Sequence, residues 1–375
     1  MGGGTAPIAM IMDAAPEPDR LPDTPHPRAA NQVFGHAASI QTLLAAINTG
    51  QVHHAWMITG PQGIGKATLA YQAAMTLLDH PVGDAGLFGA PDGVTQIGLP
   101  TDHPIATRMR AGSEPGMCIL RRPLDEKTQR LKQAITVDEV RKLRSFFSLS
   151  AGGNGRRIVI VDAVDDLNVQ AANALLKMLE EPPEGAVMFL ITHQPGAVLP
   201  TIRSRCRVLA LDPLPPDVVQ QAFSTARAGD VFDPGLLPLA MGSVGRAVTL
   251  AANGGLALYS DLVALFSTAP TVDRAALFAL IDQVTARGND GGLARLADML
   301  DIFLSRLARA SVAPVGDSQA CPGERDLFIR LNPSVHTARI WAQQHHQLGQ
   351  ALRDGTAVNL DPGALILDTA LNIET

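Results

Sequence analysis

A glycine-rich loop that ends in a lysine, Gly60-Pro61-Gln62-Gly63-Ile64-Gly65-Lys66, is the part of the sequence best suited to chemistry. Backbone N–H groups of such a loop bind phosphate oxygens, and the lysine adds a positive charge where the next helix starts. The residue after the lysine is Ala67, whereas nucleotide hydrolases place a hydroxyl there to bind Mg²⁺. The loop predicts a phosphate site, built on Gly60, Gly63, Gly65 and Lys66, at which metal binding is weakened.

A second catalytic segment is also incomplete. The apolar run 158–161 ends in Asp162, which could contact a metal ion, and Ala163 stands where a glutamate would polarise an attacking water. Asp165 and Asp166 follow, but they lie beyond the end of the predicted strand and would need an unusual path to replace that glutamate. We therefore expect nucleotide binding without turnover. The alternative is that the loop is a relic of the fold and binds nothing.

Three other residues could act on a terminal phosphate. Arg205, in Ser204-Arg205-Cys206, could stabilise charge on the nucleotide of a neighbouring subunit, or it could be an ion-paired surface arginine. Arg246 could sense nucleotide from a helical segment, or it could be an ordinary charge at the start of a helix. Thr192 ends a predicted strand, where it could report the terminal phosphate or be satisfied by the backbone.

Apolar spacing indicates the elements that would position these residues. A strand at 55–59 enters the glycine loop and a helix at 68–78 leaves it. Further strands at 157–161 and 187–192 alternate with helices at 136–148 and 171–181, and a helix at 40–47 comes first. This alternation predicts an α/β fold with a parallel sheet. Residues 80–134 are predicted to be an exposed connection, and its basic part, 121–132, leaves contact with DNA open.

Composition restricts the class of protein. A chain of 375 residues with 46% hydrophobic and 18% charged residues suits several globular domains. The net charge of −6 gives no overall attraction to nucleic acid. Three widely separated cysteines predict a reducing cytoplasm and no zinc module, and no apolar run approaches the roughly 18 residues of a membrane span.

The chain is predicted to divide into four parts. Residues 1–31 are rich in Pro, Ala and Gly and predict a flexible tail, and 32–212 hold the nucleotide-binding-like domain. A proline-rich joint opens a small helical segment, 213–254. The amphipathic helices of 255–375 predict either a bundle for oligomerisation or a plain structural domain.

The run from Asn173 to Pro183, NALLKMLEEPP, followed by Ser204-Arg205-Cys206, resembles the clamp-loader branch of the AAA+ proteins, and within it the delta-prime family of bacterial DNA polymerase III. This resemblance implies an AAA+ P-loop domain at 32–212, a helical lid at 213–254 and a helical collar at 255–375. It implies ATP or ADP with Mg²⁺ as ligand, with Lys66 on the phosphates and Asp162 on the metal. It also implies that Arg205 acts in trans.

The implied setting is a loader that places the sliding clamp on primed DNA, with gamma/tau and delta subunits as partners. The chain would belong to the DNA polymerase III holoenzyme, a nucleotidyltransferase complex, without being the polymerase itself. It departs from many relatives because 80–134 lacks the zinc-binding cysteines, so no zinc is expected, and because the phosphate loop is retained. Two alternatives stay open. One is an autonomous ATPase of gamma/tau type, and the other is a pure scaffold in which Arg205 is dispensable.

Overall fold

The computed structural model describes residues 17–21, 23–80, 93–125, 127–128, 130–148, 155–269, 273–286, 291–312 and 318–358. The chain divides into two compact units, Met1–Leu214 and Pro215–Thr375. The boundary falls inside the proline-rich joint that the sequence places after residue 212. The separate lid at 213–254 and collar at 255–375 remain a prediction.

The first unit is built around a parallel sheet. Its five strands are β1 (Ala55–Thr59), β2 (Met117–Arg121), β3 (Arg157–Asp162), β4 (Ala186–Thr192) and β5 (Arg207–Ala210). They lie side by side in the order β2-β3-β4-β1-β5, and every neighbouring pair is parallel. This topology confirms the predicted α/β fold class, and it brings the carboxyl ends of β1, β3 and β4 to one edge of the sheet.

Helices cover both faces of this sheet, which is why its central strands are apolar almost throughout. The helices of the first unit are α1 (Ala37–Asn48), α2 (Lys66–Asp79), α3 (Pro104–Ala111), α4 (Val137–Ser148), α5 (Val169–Glu180) and α6 (Pro200–Arg203). Along β1, Trp56 and Ile58 point into the core formed with α1, α2 and α3. Ala55 and Met57 point the opposite way, into the core formed with α4, α5 and α6.

The prediction of an exposed connection across 80–134 is wrong for part of that segment. It contains α3, which packs Ile105 and Met109 into the core, and β2, which forms an edge of the sheet. The apolar part of β2 is only four residues long and is followed by basic residues, so its strand pattern is weak in the sequence. Residues 81–92 lie outside the described residues.

The expectation of a flexible tail up to residue 31 also differs from the structure. Met1–Pro16 lie outside the described residues, but the described residues between 17 and 31 pack on the first unit and include a short 3-10 helix, Pro27–Ala29. Asp19 is only 1% exposed, and its carboxylate pairs with Arg121 at 2.7 Å and with His26 at 3.0 Å. Polar contacts, which apolar periodicity does not reveal, hold this segment in place.

The described residues of the second unit form helices joined by turns and short loops, with no strand among them. Its helices are α7 (Pro216–Ala226), α8 (Leu236–Ala240), α9 (Val244–Ala252), α10 (Gly255–Phe266), α11 (Arg274–Thr285), α12 (Gly292–Arg309), α13 (Glu324–Leu331) and α14 (Val335–Val358). Tyr259, Phe266, Phe303 and Phe328 are fully buried, and the rings of the other three each contact the ring of Phe303.

A buried ion pair lies beside these rings. Arg306 donates to Glu324, which is 0% exposed, and also to the backbone oxygen of Pro238 at 3.1 Å. Arg306 therefore links α8, from the predicted lid, to α12 and α13, from the predicted collar.

Within the part of the chain that the structure describes, no single helix is both long and apolar enough to cross a bilayer. One pair of consecutive helices, α9 and α10, meets the length and composition requirements together, with a bend of 80° between them.

Candidate nucleotide site and a surface arginine

The glycine loop connects β1 to α2 at the carboxyl edge of the sheet. Gly60 has φ +140°, and a Cβ on this residue would lie 2.4 Å from the backbone oxygen of Leu211. Gly63 and Gly65 have φ of 76° and 103°, which L side chains rarely adopt. These three glycines allow the chain to turn tightly from the strand into the helix, as the phosphate-loop motif predicts.

Lys66 is the first residue of α2 and is 3% exposed. Its Nζ donates hydrogen bonds to the backbone oxygens of Gly60 at 2.7 Å and Pro61 at 2.5 Å. Burial lowers the pKa of Lys66 to about 8, and the negative charges of Asp162 and Asp165 oppose this effect. The ammonium group therefore lies within the loop that it would serve, and a bound phosphate would compete with two carbonyl oxygens for it.

Asp162 is the last residue of β3 and belongs to the same edge of the sheet. Burial raises its pKa to about 7, the charge of Asp19 adds to the rise, and Lys66 opposes it. Protonation of this group weakens it as a metal ligand, and Ala67 offers no hydroxyl. These residues fit a phosphate group through the loop and Lys66, but they offer Mg²⁺ only the carboxylate of Asp162.

Among the described residues, no group of three or more His, Cys, Asp or Glu side chains is arranged to hold a metal ion. The absence of zinc remains a prediction.

Asp165 follows β3, and its carboxylate reaches the end of the neighbouring strand, β4. The expectation that it could replace the missing glutamate only by an unusual path stays a prediction. One carboxylate oxygen accepts a hydrogen bond from Thr192 Oγ1 at 2.7 Å, and the other accepts one from the backbone N–H of His193 at 2.6 Å. Thr192 is fully buried, and its hydroxyl oxygen also accepts from the N–H of Gln194 at 3.1 Å. Both oxygens of Asp165 are thus engaged in fixing the end of β4.

Arg205 lies just after α6 and is 35% exposed at its side chain. It donates one hydrogen bond to the backbone oxygen of Thr201 at 2.9 Å and another to Glu180 Oε1 at 2.8 Å. Glu180 is the last residue of α5, and its side chain is 49% exposed. The sequence reasoning considered an ion-paired arginine here but did not identify Glu180 as the partner, because the two residues are 25 positions apart.

Arg246 belongs to the second unit, whereas the other candidate residues belong to the first. It lies in the first turn of α9, where its backbone N–H donates to the capping hydroxyl of Ser243 at 3.1 Å, and it is exposed. Its charge opposes the rise in the pKa of Asp298 that burial and Asp301 cause. Its predicted role toward nucleotide remains a prediction.

One residue near the loop was missed by sequence reasoning. His36 has φ 57°, and its Nε2 lies 2.8 Å from the backbone oxygen of Ile64, to which it donates. A lone histidine before a helix carries no local signal of such a contact.

The basic stretch from 121 to 132 is partly neutralised within the chain. Arg121 pairs with Glu17 at 2.9 Å as well as with Asp19, and Arg122 pairs with Asp166 at 3.2 Å. Carboxylates of the same chain therefore offset the positive charges of Arg121 and Arg122, which lie at and just after the end of β2.

Comparison with known proteins finds similarity to subunits of DNA polymerase III. Residues 35–215 match the model described as DNA polymerase III, delta subunit. The delta-prime subunit of Pseudomonas aeruginosa is 38% identical over 43% of this chain and 44% of that protein. The delta-prime subunit of Escherichia coli is 29% identical over 89% of this chain and 92% of that protein.

More distant relatives are gamma/tau subunits. The gamma/tau subunit of Mycobacterium bovis is 25% identical over 81% of this chain and 54% of that protein. The chain thus spans about half the length of the Pseudomonas and Mycobacterium relatives.

Solved structures show weaker likeness. A gamma subunit-related protein from Thermotoga maritima aligns with 88% of this chain and 98% of that chain, at 18% identity and a TM-score of 0.40. A TM-score below 0.5 is too low to support a functional inference. The matching model and the two delta-prime relatives lead to one conclusion: residues 35–215 of this chain are similar to the DNA polymerase III delta-subunit family.

Proposed function

We propose that this protein is a clamp-loader subunit of delta-prime type. It would act in the cytoplasm with gamma/tau and delta subunits to place a sliding clamp on primed DNA. In this proposal the chain hydrolyses ATP poorly or not at all. Its contribution to hydrolysis is Arg205, which stabilises charge on the nucleotide of a neighbouring ATPase subunit.

The observation that carries the proposal is the hydrogen bonding of the Asp165 carboxylate. This is the first carboxylate after Ala163 in the sequence, and both of its oxygens accept hydrogen bonds, one from Thr192 of β4 and one from the N–H of His193, the residue after β4. Ala67 also removes the hydroxyl that would bind Mg²⁺. A phosphate loop without the metal-binding hydroxyl, together with an Asp165 whose two oxygens are both hydrogen-bonded, favours a non-hydrolysing subunit.

Nucleotide binding is a separate part of the proposal. The loop retains its three positive-φ glycines and a buried lysine, which suit the phosphates of ATP or ADP. Lys66 would hold the phosphates and Asp162 would face the metal, while Thr192 and Arg246 would respond to the terminal phosphate. Isothermal titration with ADP, comparing the chain with Lys66→Ala, tests this. Equal heats of ADP binding for the wild-type chain and Lys66→Ala would favour the alternative that the loop is a relic of the fold that binds no nucleotide.

Two other functions make different predictions. An autonomous ATPase of gamma/tau type is supported by the 25% identity to gamma/tau subunits. It predicts ATP hydrolysis by the purified chain that Lys66→Ala abolishes. A pure scaffold predicts that Arg205 can be replaced without consequence.

The decisive experiment is clamp- and DNA-stimulated ATP hydrolysis by the reconstituted loader. Removing a trans-acting arginine costs about 10³–10⁵ in rate at the site it serves, so Arg205→Ala should abolish turnover there. Arg203→Ala is the matched control because it removes an exposed arginine two positions away. If the Arg205→Ala loader assembles normally and keeps the wild-type rate, the trans-acting role is refuted.

A further inference from the structure

We infer that Glu180 is a positioning residue for Arg205, so that the arginine is held ready for the phosphate of a neighbouring subunit. This inference rests on the proposed function. It adds that the direction of the guanidinium is set within this chain before any partner is present. The residues involved are Arg205, Glu180 and Thr201.

The two internal contacts of Arg205 occupy only part of its hydrogen-bonding capacity. A guanidinium has five N–H groups. The described residues provide acceptors for two of them, Thr201 O for Nη1 and Glu180 Oε1 for Nη2. The side chain is still 35% exposed. The remaining N–H groups can therefore bind an anion from outside while the two internal contacts persist.

Both anchors stand on packed helices. Glu180 follows Leu179, which is 2% exposed in the core beneath α5, and Thr201 precedes Ile202, which is 1% exposed beneath α6. The helix that carries Glu180 begins at a capped position, with Asn168 accepting from the N–H of Ala171 at 2.8 Å. The position of each anchor is thus fixed by the core of the first unit.

An arginine side chain loses much rotational freedom when it binds a phosphate, and prior orientation reduces that loss. The Glu180 carboxylate also makes the hydrogen bond to Nη2 a charge-assisted one, which is stronger than a neutral contact. Because the pair is solvent-exposed, its effect is limited by screening. We expect Glu180→Ala to lower kcat at the neighbouring site about three- to fivefold, with little change in KM for ATP.

The test uses the reconstituted loader with the wild-type chain and four single variants: Glu180→Ala, Glu180→Gln, Glu181→Ala and Arg205→Ala. Glu181→Ala is the matched control, since it removes the adjacent exposed carboxylate. Equal assembly is checked first by gel filtration. Glu180→Gln keeps an oxygen that accepts from Nη2, so it should restore most of the rate. A double variant, Glu180→Ala with Arg205→Ala, should be no slower than Arg205→Ala alone.

The outcomes separate the inference from the proposed function. A fall with Arg205→Ala but wild-type kcat with Glu180→Ala would overturn the inference and leave the proposed function intact. A faster Glu180→Ala loader would also overturn it, because Glu180 would then restrain Arg205. A further fall in the double variant would show that Glu180 acts by another route. An unchanged rate with Arg205→Ala would remove the proposed function, and the inference with it.

Discussion

The packing of residues 17–31 predicts that Asp19 stabilises the first unit. Its carboxylate is 1% exposed and accepts hydrogen bonds from Arg121 at 2.7 Å and from the Tyr71 hydroxyl at 3.2 Å, and it pairs with His26 at 3.0 Å. Burial alone would raise the pKa of Asp19, but the contacts with His26 and Arg121 outweigh burial and lower it from 3.8 to about 2. The ionised carboxylate is therefore more stable in the folded chain than in the unfolded one.

This difference in pKa sets the size of the effect. At 1.36 kcal/mol per pKa unit, ionised Asp19 contributes about 2 kcal/mol to the free energy of unfolding at neutral pH. A carboxylate with a lowered pKa contributes fully above its unfolded value and loses the contribution as pH falls through its folded value. The contribution of Asp19 should thus be complete above pH 4, be about 1 kcal/mol near pH 3, and nearly vanish at pH 2.

Urea denaturation of the full chain tests this, with Asp19→Asn compared with wild type at pH 7 and pH 3. We expect Asp19→Asn to lower the free energy of unfolding by about 2 kcal/mol at pH 7 and by about half as much at pH 3. Asp102→Asn serves as the control because Asp102 is exposed. A loss below about 0.5 kcal/mol at pH 7, the size of an ordinary surface substitution, would refute the reasoning. A loss of unfolding free energy that is the same at pH 7 and pH 3 would refute the attribution of the effect to the charge of Asp19.

Three other substitutions follow from contacts in the structure. Gly60→Ala would bring a Cβ to 2.4 Å from Leu211 O and should shift the phosphate loop at a cost of about 2 kcal/mol, measurable by thermal unfolding; an unchanged melting temperature would contradict this. Arg306→Met leaves Glu324 buried without its cation and should cost about 3–5 kcal/mol in urea denaturation, whereas changing both residues to apolar ones should recover most of the loss. Thr192→Val removes a donor from the half-buried Asp165 carboxylate and leaves a buried position without its hydroxyl, which should cost about 1–3 kcal/mol by the same assay, whereas retention of wild-type stability would contradict the assigned bond.

Much of the first unit could be predicted because its signals are local. The apolar run of β1, the glycine loop and its lysine follow one another within twelve residues. They are therefore neighbours in the fold whatever the rest of the chain does. The strands β3 and β4 are long and apolar because helices cover both faces of the sheet. The short edge strands, β2 and β5, were missed, since edge positions are only partly buried and their apolar runs are brief.

The sequence by itself determined which chemical groups are present and which are missing: the phosphate loop is there, and the hydroxyl at Ala67 and the carboxylate at Ala163 are not. Only the tertiary structure decided how the remaining polar groups are used. Asp165 is bound to Thr192 across 27 positions, and Arg205 is bound to Glu180 across 25. Such pairs form because the packing of helices and strands brings together side chains that are far apart in the sequence. Neither apolar periodicity nor local residue spacing carries information about these contacts.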